Sequence, residues 1–261
     1  MRVVKGLLER CVATVEALTV APAGMRLSDL ARALDIPKTA AHRLLTELVR
    51  LGWVERAPAE IYRLTQRLPL VSQRVLHATG LTDRVQPVLD RVARDTRELA
   101  RVAVALPDCL VWLAHAQGAP PGLLYQPALS DPVRPHATAT GKAWLATLGR
   151  AEAMAIAHAG GLGTVRPTTR TLTSDAALAR DLARIRVRGF AVAEEEAEPG
   201  VVAIAVAVRP SPGPAVATIS VAGPLVRLPE ARHAAVAARL GQAANELAAL
   251  WPAPMAEEAR G

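Results

Sequence analysis

Cysteine is scarce in this chain of 261 residues: only Cys11 and Cys109, in apolar contexts of two different segments. Two isolated cysteines give neither a disulfide framework nor a zinc site, so reduced, buried thiols are expected. Long apolar runs are also missing. Residues 201–208 form one of the longest, far too short to cross a bilayer. No charged-then-apolar leader precedes the first helical pattern, which predicts a cytoplasmic protein that makes no membrane contact. There is no nucleophile elbow, phosphate loop or pair of carboxylates in a plausible cleft. His77, His115, His158 and His233 lack metal-ligand spacing. No catalytic residue, metal or cofactor is therefore assigned, and a hydrophobic content of 51% excludes a disordered chain.

What the chain does have is positive charge, unevenly spread. The formal net charge is +7. Residues 1–67 hold eleven Lys and Arg against seven acids, a net of +4, and the other 194 residues carry +3. A basic first quarter is what a domain facing phosphates requires, although +4 on a small domain is also ordinary.

The apolar spacing organises the chain as α+β. Residues 4–18 carry a helical stripe: Val4, Leu7, Leu8, Cys11, Val12, Val15 and Leu18. Ser28 is a credible N-cap for a short helix over 29–34. Asp35, Ile36 and Pro37 make a turn, and a third helix covers 38–51 until Gly52 stops it. Two short strands follow, 53–56 and 61–64. A connector helix is expected from 68 to 79. Beyond Gly80 the pattern predicts helices over 82–98, 136–148, 174–188 and 230–250. Strands are predicted over 101–106, 109–117, 123–126, 190–194, 201–208 and 215–221, in a largely antiparallel sheet with helices packed on it. The divisions are 1–67, a linker helix 68–80, a second domain 81–252, and a frayed tail 253–261.

Three short helices followed by a two-stranded wing are the layout of a winged helix-turn-helix. In the third helix Ala41, Leu44, Leu45, Leu48 and Leu51 share the core face. The opposite face is Lys38, Thr39, His42, Arg43 and Thr46, concentrated in the half that would enter a major groove. Arg43 suits a guanine edge or a phosphate, and the two threonines suit phosphates or a thymine methyl. Arg56 and Arg63 flank the wing tip, where a cation reaches the backbone or minor groove of a duplex. With Ser28, these residues form the expected interface with double-stranded operator DNA.

Residues 27–52, LSDLARALDIPKTAAHRLLTELVRLG, resemble the helix-turn-helix of the IclR family of bacterial regulators. His136 to Ala143, HATATGKA, is similar to the family's H-x-S/T-x-x-G-K-A segment. The stretch from Gly189 through Glu195 and Glu196 to Val201 is similar to its glycine–aromatic–acidic region. Residues 219–224, ISVAGP, resemble its S-x-S-G-P strand end. The resemblance implies a GAF-like effector domain, a homodimer that can pair into a tetramer, and operator binding modulated by a small organic molecule, a carboxylate or an aromatic breakdown product.

Ligands favour a sheet face roofed by a helix, so the effector is expected near Ala139, Thr140, Gly141, Ala193, Ala203, Ser220 and Ala222. Gly141 permits close backbone approach, and amides at a helix start bind anions. Members that hold small oxo-acids carry polar anchors where this chain has Ala193, Ala203 and Ala222. Losing them implies a larger or more apolar effector, unless these alanines are simply core and Ser220 is satisfied by the sheet backbone. Lys142 is read as a surface lysine or a carboxylate counter-ion. Glu194, Glu195, Glu196 and Glu198 are read as a solvated or subunit-contact loop. The competing functions are an enzyme or a signalling module built on the C-terminal domain, with the helix-turn-helix incidental.

Overall fold

Gly52 and Gly80 sit at two breaks in the chain, each with positive φ, 74° and 58°. The computed structural model describes residues 6–251 except 129–130 and 211–212, with backbone alone at 75–77 and 79. It divides the chain into two units, residues 1–79 and 80–261.

In the first unit, α1 (Leu7–Thr19), α2 (Leu27–Ala33) and α3 (Lys38–Arg50) are followed by β2 (Val54–Ala57) and β3 (Ile61–Leu64). A two-residue strand, β1 (Met25–Arg26), completes an antiparallel sheet of order β1-β3-β2. The turn between α2 and α3 is sharp because Asp35 takes the left-handed conformation, φ 52°, a region that Asp enters at lower cost than most residues. Leu18, Leu30, Leu45, Leu48, Val54 and Tyr62 form the core. Each fully buried leucine contributes about 1.5–3 kcal/mol. The unit ends in α4 (Arg67–Thr79).

The second unit is a five-stranded antiparallel sheet of order β5-β4-β8-β7-β6. Its strands are β4 (Leu99–Ala105), β5 (Leu110–Gln117), β6 (Ala191–Glu194), β7 (Val201–Val208) and β8 (Ala217–Pro224). Side-chain alternation splits it into two faces. Ala100, Val102, Val202, Ile204, Ile219 and Val221 pack against α5 (Leu81–Thr96) and α9 (Glu230–Leu250). Ala103, Ala191, Ala193 and Ala205 pack with α6 (Ala139–Leu145), α7 (Arg150–Ala159) and α8 (Asp175–Arg188). The expected α+β architecture, with its mainly antiparallel sheet, is what the chain adopts.

Several local expectations change. Of the α1 stripe, Leu18 is buried, but Leu7, Leu8 and Val12 are 70%, 80% and 58% exposed. Helix α2 starts earlier, with Arg26 at the N-cap position and no side-chain cap, so Ser28 lies inside the first turn. Residues 123–126 form no strand. The helix predicted over 136–148 is only Ala139–Leu145, because Thr138 caps it, accepting from the Gly141 amide at 3.0 Å. Helix α7 was not foreseen. Cys11 and Cys109 are free thiols, half-buried rather than buried. The linker helix falls in the first unit, and the tail 253–261 lies outside the described residues. No helix among the described residues is long and apolar enough to cross a membrane.

Candidate functional site

Helix α3 separates its faces as its spacing demands. Ala41, Leu44, Leu45 and Leu48 are buried, but Leu51, expected on the same face, is 46% exposed because it lies past the last helical residue as the C-cap. Lys38, Thr39, His42, Arg43 and Thr46 are all exposed, and together they make a polar strip along one side of the helix. Lys38 and Arg43 take part in no ion pair among the described residues. Thr46 differs: its hydroxyl donates to the His42 carbonyl at 2.9 Å and is engaged within the helix. Ser28 is half-buried beside the turn into α3. The wing cations are already engaged. Arg56 pairs with Glu60, and Arg63 pairs with Glu55, its cross-strand neighbour. Beyond the wing, Arg67 lies over the Trp53 ring, 5.6 Å from its centroid, and donates to the Leu51 carbonyl at 2.8 Å. That contact ties the end of α3 to the base of the wing.

In the second unit the strand register aligns three of the expected effector residues. Ala193 opposes Ala203, and Ala203 opposes Ala222, in one row across three adjacent strands. Ser220 opposes Ala205 in the neighbouring row. Residues of one row share a face of the sheet, and here it is the face under α6. Ala139, Thr140, Gly141, Ala193, Ser220 and Ala222 are buried; Ala203 is half-buried and marks where this face opens.

Gly141 is needed for a reason other than a ligand. A Cβ on it would lie 2.4 Å from Pro135 Cα and 2.5 Å from the Pro135 carbonyl oxygen. Its amide is also occupied by the Thr138 hydroxyl, and the Lys142 amide donates to the Thr138 carbonyl at 3.0 Å. The Gly141 and Lys142 amides are therefore engaged within the helix start and are not open to an anion.

Lys142 is not a surface lysine. Its side chain is 1% exposed, and its ammonium lies 2.7 Å from Glu196 and 2.8 Å from Asp181. Glu196 is correspondingly removed from the solvated-loop reading, and burial, partly offset by Lys142, holds its carboxyl above the usual range. Glu194 and Glu195 pair with Arg170 at the surface. His136 is fully buried, with Nε2 3.1 Å from the Val165 carbonyl, and burial pushes its imidazole below the ordinary value. Among the described residues no three His, Cys, Asp or Glu side chains cluster to hold a metal ion.

Sequence reasoning passed over Arg101, which interrupts the strand LARVAVA and opposes Ser220 on the same face of the sheet. It is 8% exposed and its guanidinium stacks on Trp112, 3.8 Å from the ring centroid. A lone charge within an apolar strand was the available signal.

Comparison with known proteins agrees with this layout. Residues 73–249 match the family described as bacterial transcriptional regulator IclR C-terminal, and residues 7–58 match the IclR helix-turn-helix domain. The HTH-type transcriptional regulator BhcR of Paracoccus denitrificans is 30% identical over 248 residues, covering 92% of this chain and 85% of that protein. An IclR-type regulator structure from Silicibacter sp. TM1040 superposes with a TM-score of 0.85, covering 96% of this chain and 98% of that one, at 23% identity. An IclR homolog from Microbacterium hydrocarbonoxydans, solved in complex with 4-hydroxybenzoate, gives 0.72 at 26% identity, covering 94% and 98%.

Proposed function

As this chain belongs to the IclR family of bacterial transcriptional regulators, with a DNA-binding helix-turn-helix and an effector-binding domain, we propose that it reads its operator through α3 and senses its effector on the alanine face of the second-unit sheet. The observation that carries the first half is the exposed strip Lys38, Thr39, His42 and Arg43, free of ion pairs at both cations and opposite the buried Ala41, Leu44, Leu45 and Leu48. Arg43 reads a base edge or phosphate, Lys38 and Thr39 fix the helix on the backbone, and Thr46 offers its methyl to a thymine. Arg56 and Arg63 exchange their wing carboxylates for phosphates on binding, and Ser28 supports the approach of α2 to the duplex.

The protein acts as a homodimer, or a tetramer made of two. One helix and one wing give few phosphate contacts, and two copies on a pseudo-palindrome add theirs. The apolar residues exposed on α1, Leu7, Leu8 and Val12, supply surface for a second copy to cover. With Leu8→Glu and Val12→Glu together, light scattering should report a monomer, and operator affinity should fall. The cytoplasm is its place of action, since its operator DNA is there.

The effector, an organic carboxylate or aromatic molecule, lies against Ala139, Thr140, Gly141, Ala193, Ala203, Ser220 and Ala222. Its binding must differ between two arrangements of the dimer, and a coupling of about 1–3 kcal/mol is enough. The decisive experiment measures anisotropy on the DNA upstream of the protein's own gene. Arg43→Ala should cost about 1–3 kcal/mol of operator binding with the circular dichroism unchanged. Ala203→Phe should remove the effector response while the ligand-free protein still binds DNA. Undiminished operator affinity in the Arg43 variant would overturn the interface.

A further inference from the structure

Two cations of the second unit, Lys142 and Arg101, are buried and a third, Arg227, is partly buried; two of the three meet carboxylates. Lys142 has Glu196 and Asp181. Arg227 holds the buried Glu98 through two parallel bonds of 2.6 and 2.7 Å. Arg101 has no carboxylate within ion-pair distance among the described residues, and its Nε, buried from solvent, has no hydrogen-bond partner there either. Such an arrangement is costly. A buried charge is tolerated where opposite charge and hydrogen bonds compensate it, and a ring face repays only part of the loss. Arginine keeps its proton even so; burial lowers its affinity for that proton without removing it.

The surroundings are arranged for an anion. Trp112 stacks on the flat of the guanidinium and so fixes its plane, leaving the edge as the part that can bond. That edge is the fork a carboxylate engages bidentately, and Nε is one of the donors of its side-on form. The Tyr125 hydroxyl reaches the same guanidinium, and its other neighbour is Glu198. Burial and the nearby Glu198 push the Tyr125 phenol up; its one proton is donated to Glu198, and toward the guanidinium the hydroxyl accepts. Asp131 acts on Arg101 only through its charge, from an exposed position.

The neighbouring side chains on this face are equally short of partners. The Thr218 hydroxyl, which shares the face, has none among the described residues, and the Ser220 hydroxyl has only a 3.5 Å contact to the Arg101 carbonyl. Beyond them the floor is apolar. Arg101 on β4 faces Ser220 on β8, which faces Ala205 on β7. Two strand intervals separate Arg101 from Ala205, about 10 Å, the length of a small organic acid.

We propose that Arg101 is the counter-charge of the effector: the ligand is an organic monocarboxylate whose anionic end pairs with the Arg101 edge beside Tyr125, while its apolar body runs over Ser220 toward the alanine row. The proposal rests on the reading that the effector binds this face of the sheet. It also reconciles the polar anchors missing at Ala193, Ala203 and Ala222 with an acidic ligand, because the anchor lies on β4, one to three strands from those positions.

The test uses the full-length protein and thermal unfolding with and without benzoate, 4-hydroxybenzoate, pyruvate and hexanoate, each beside its neutral amide. At least one acid should raise the midpoint, its amide should not, and Arg101→Met should weaken that acid by about tenfold to a hundredfold by calorimetry. Without ligand, Arg101→Met should unfold at a higher temperature than the wild type, since it removes an uncompensated buried charge. If an acid stabilises wild type and Arg101→Met alike, or an amide serves as well as its acid, the assignment of Arg101 fails. If no acid moves the wild type, the sign of the ligand-free shift decides: a lower midpoint in Arg101→Met overturns the proposal and a higher one supports it. Ala203→Phe separates the two readings. An acid response that survives in Ala203→Phe places the fault with the pocket; one that survives only in Arg101→Met places it with the arginine.

Discussion

Lys142 and Glu196 are 54 positions apart in the chain, yet the Lys142 ammonium donates to both oxygens of the Glu196 carboxylate, at 2.7 and 2.8 Å. With Asp181 on α8 as a third member, this contact pins α6 to the loop after β6 and to α8. Removing one member of a buried pair leaves the other charge uncompensated. Lys142→Met should therefore destabilise the protein by about 3–5 kcal/mol in denaturant unfolding. Adding Glu196→Gln and Asp181→Asn should return part of that loss. A triple variant no better than Lys142→Met would show that lost packing, not charge, is responsible.

His136 makes stability depend on pH in a fixed direction. Its imidazole is buried, donates from Nε2 to the Val165 carbonyl, and has no partner for Nδ1 among the described residues. Burial, the largest influence, favours the neutral form. The unfolded chain takes up a proton near the ordinary histidine value, about 6.5, while the folded chain resists until lower pH. The unfolding free energy should thus fall as pH drops below about 6.5, by at most about 1.4 kcal/mol per unit from this one group. His136→Gln should lack that portion of the slope. Parallel pH profiles for wild type and variant would refute it.

Replacing glycine by alanine inside a helix ordinarily stabilises it by about 1 kcal/mol. At Gly141 the sign should reverse. The added methyl group meets Pro135 backbone, which cannot rotate away as a side-chain tip can. Gly141→Ala should cost about 1–3 kcal/mol in chemical unfolding, whereas Gly149→Ala, where a Cβ meets nothing within 4 Å, should not.

The wing holds its own cations in check. Arg56 is paired with Glu60 next to two left-handed residues, Ala59 and Glu60 itself, with φ of 61° and 58°. Glu60→Gln should release Arg56 and remove a charge that repels phosphate. Binding to duplex of arbitrary sequence should tighten at low salt, because Arg56 no longer has to give up a carboxylate to reach a phosphate. Unchanged affinity in a salt titration by anisotropy would mean that Arg56 does not reach the backbone.

The elements that could be read from the sequence are those whose causes are local. Helix α3 was legible because Ala41, Leu44, Leu45 and Leu48 recur at helical spacing; strands β3 and β7 were legible because turn residues bound them. The register that aligns Ala193, Ala203 and Ala222 was not legible, since it pairs strands distant in the chain; only the family resemblance grouped these residues. Lys142 was misread because its counter-charges come from distant segments, and no local pattern announces them. The α1 stripe gave the helix its place, but this chain alone does not bury Leu7, Leu8 or Val12. Arg101 escaped notice for a related reason: no carboxylate of the described chain lies within ion-pair distance of it, so no pairing pattern could reveal it.

The two faces of the sheet in the second unit differ in kind, valine and isoleucine toward α5 and α9, alanine, serine and threonine toward α6. The branched residues interlock and tolerate little change of volume, whereas alanines on the other face admit exchange at smaller cost where space allows. Chemistry on one side can therefore drift while the scaffold on the other stands still. A duplicated copy of such a gene needs only a few substitutions on the small-residue face, with the charge at Arg101 kept or given up, to answer a different metabolite under the same folding constraints.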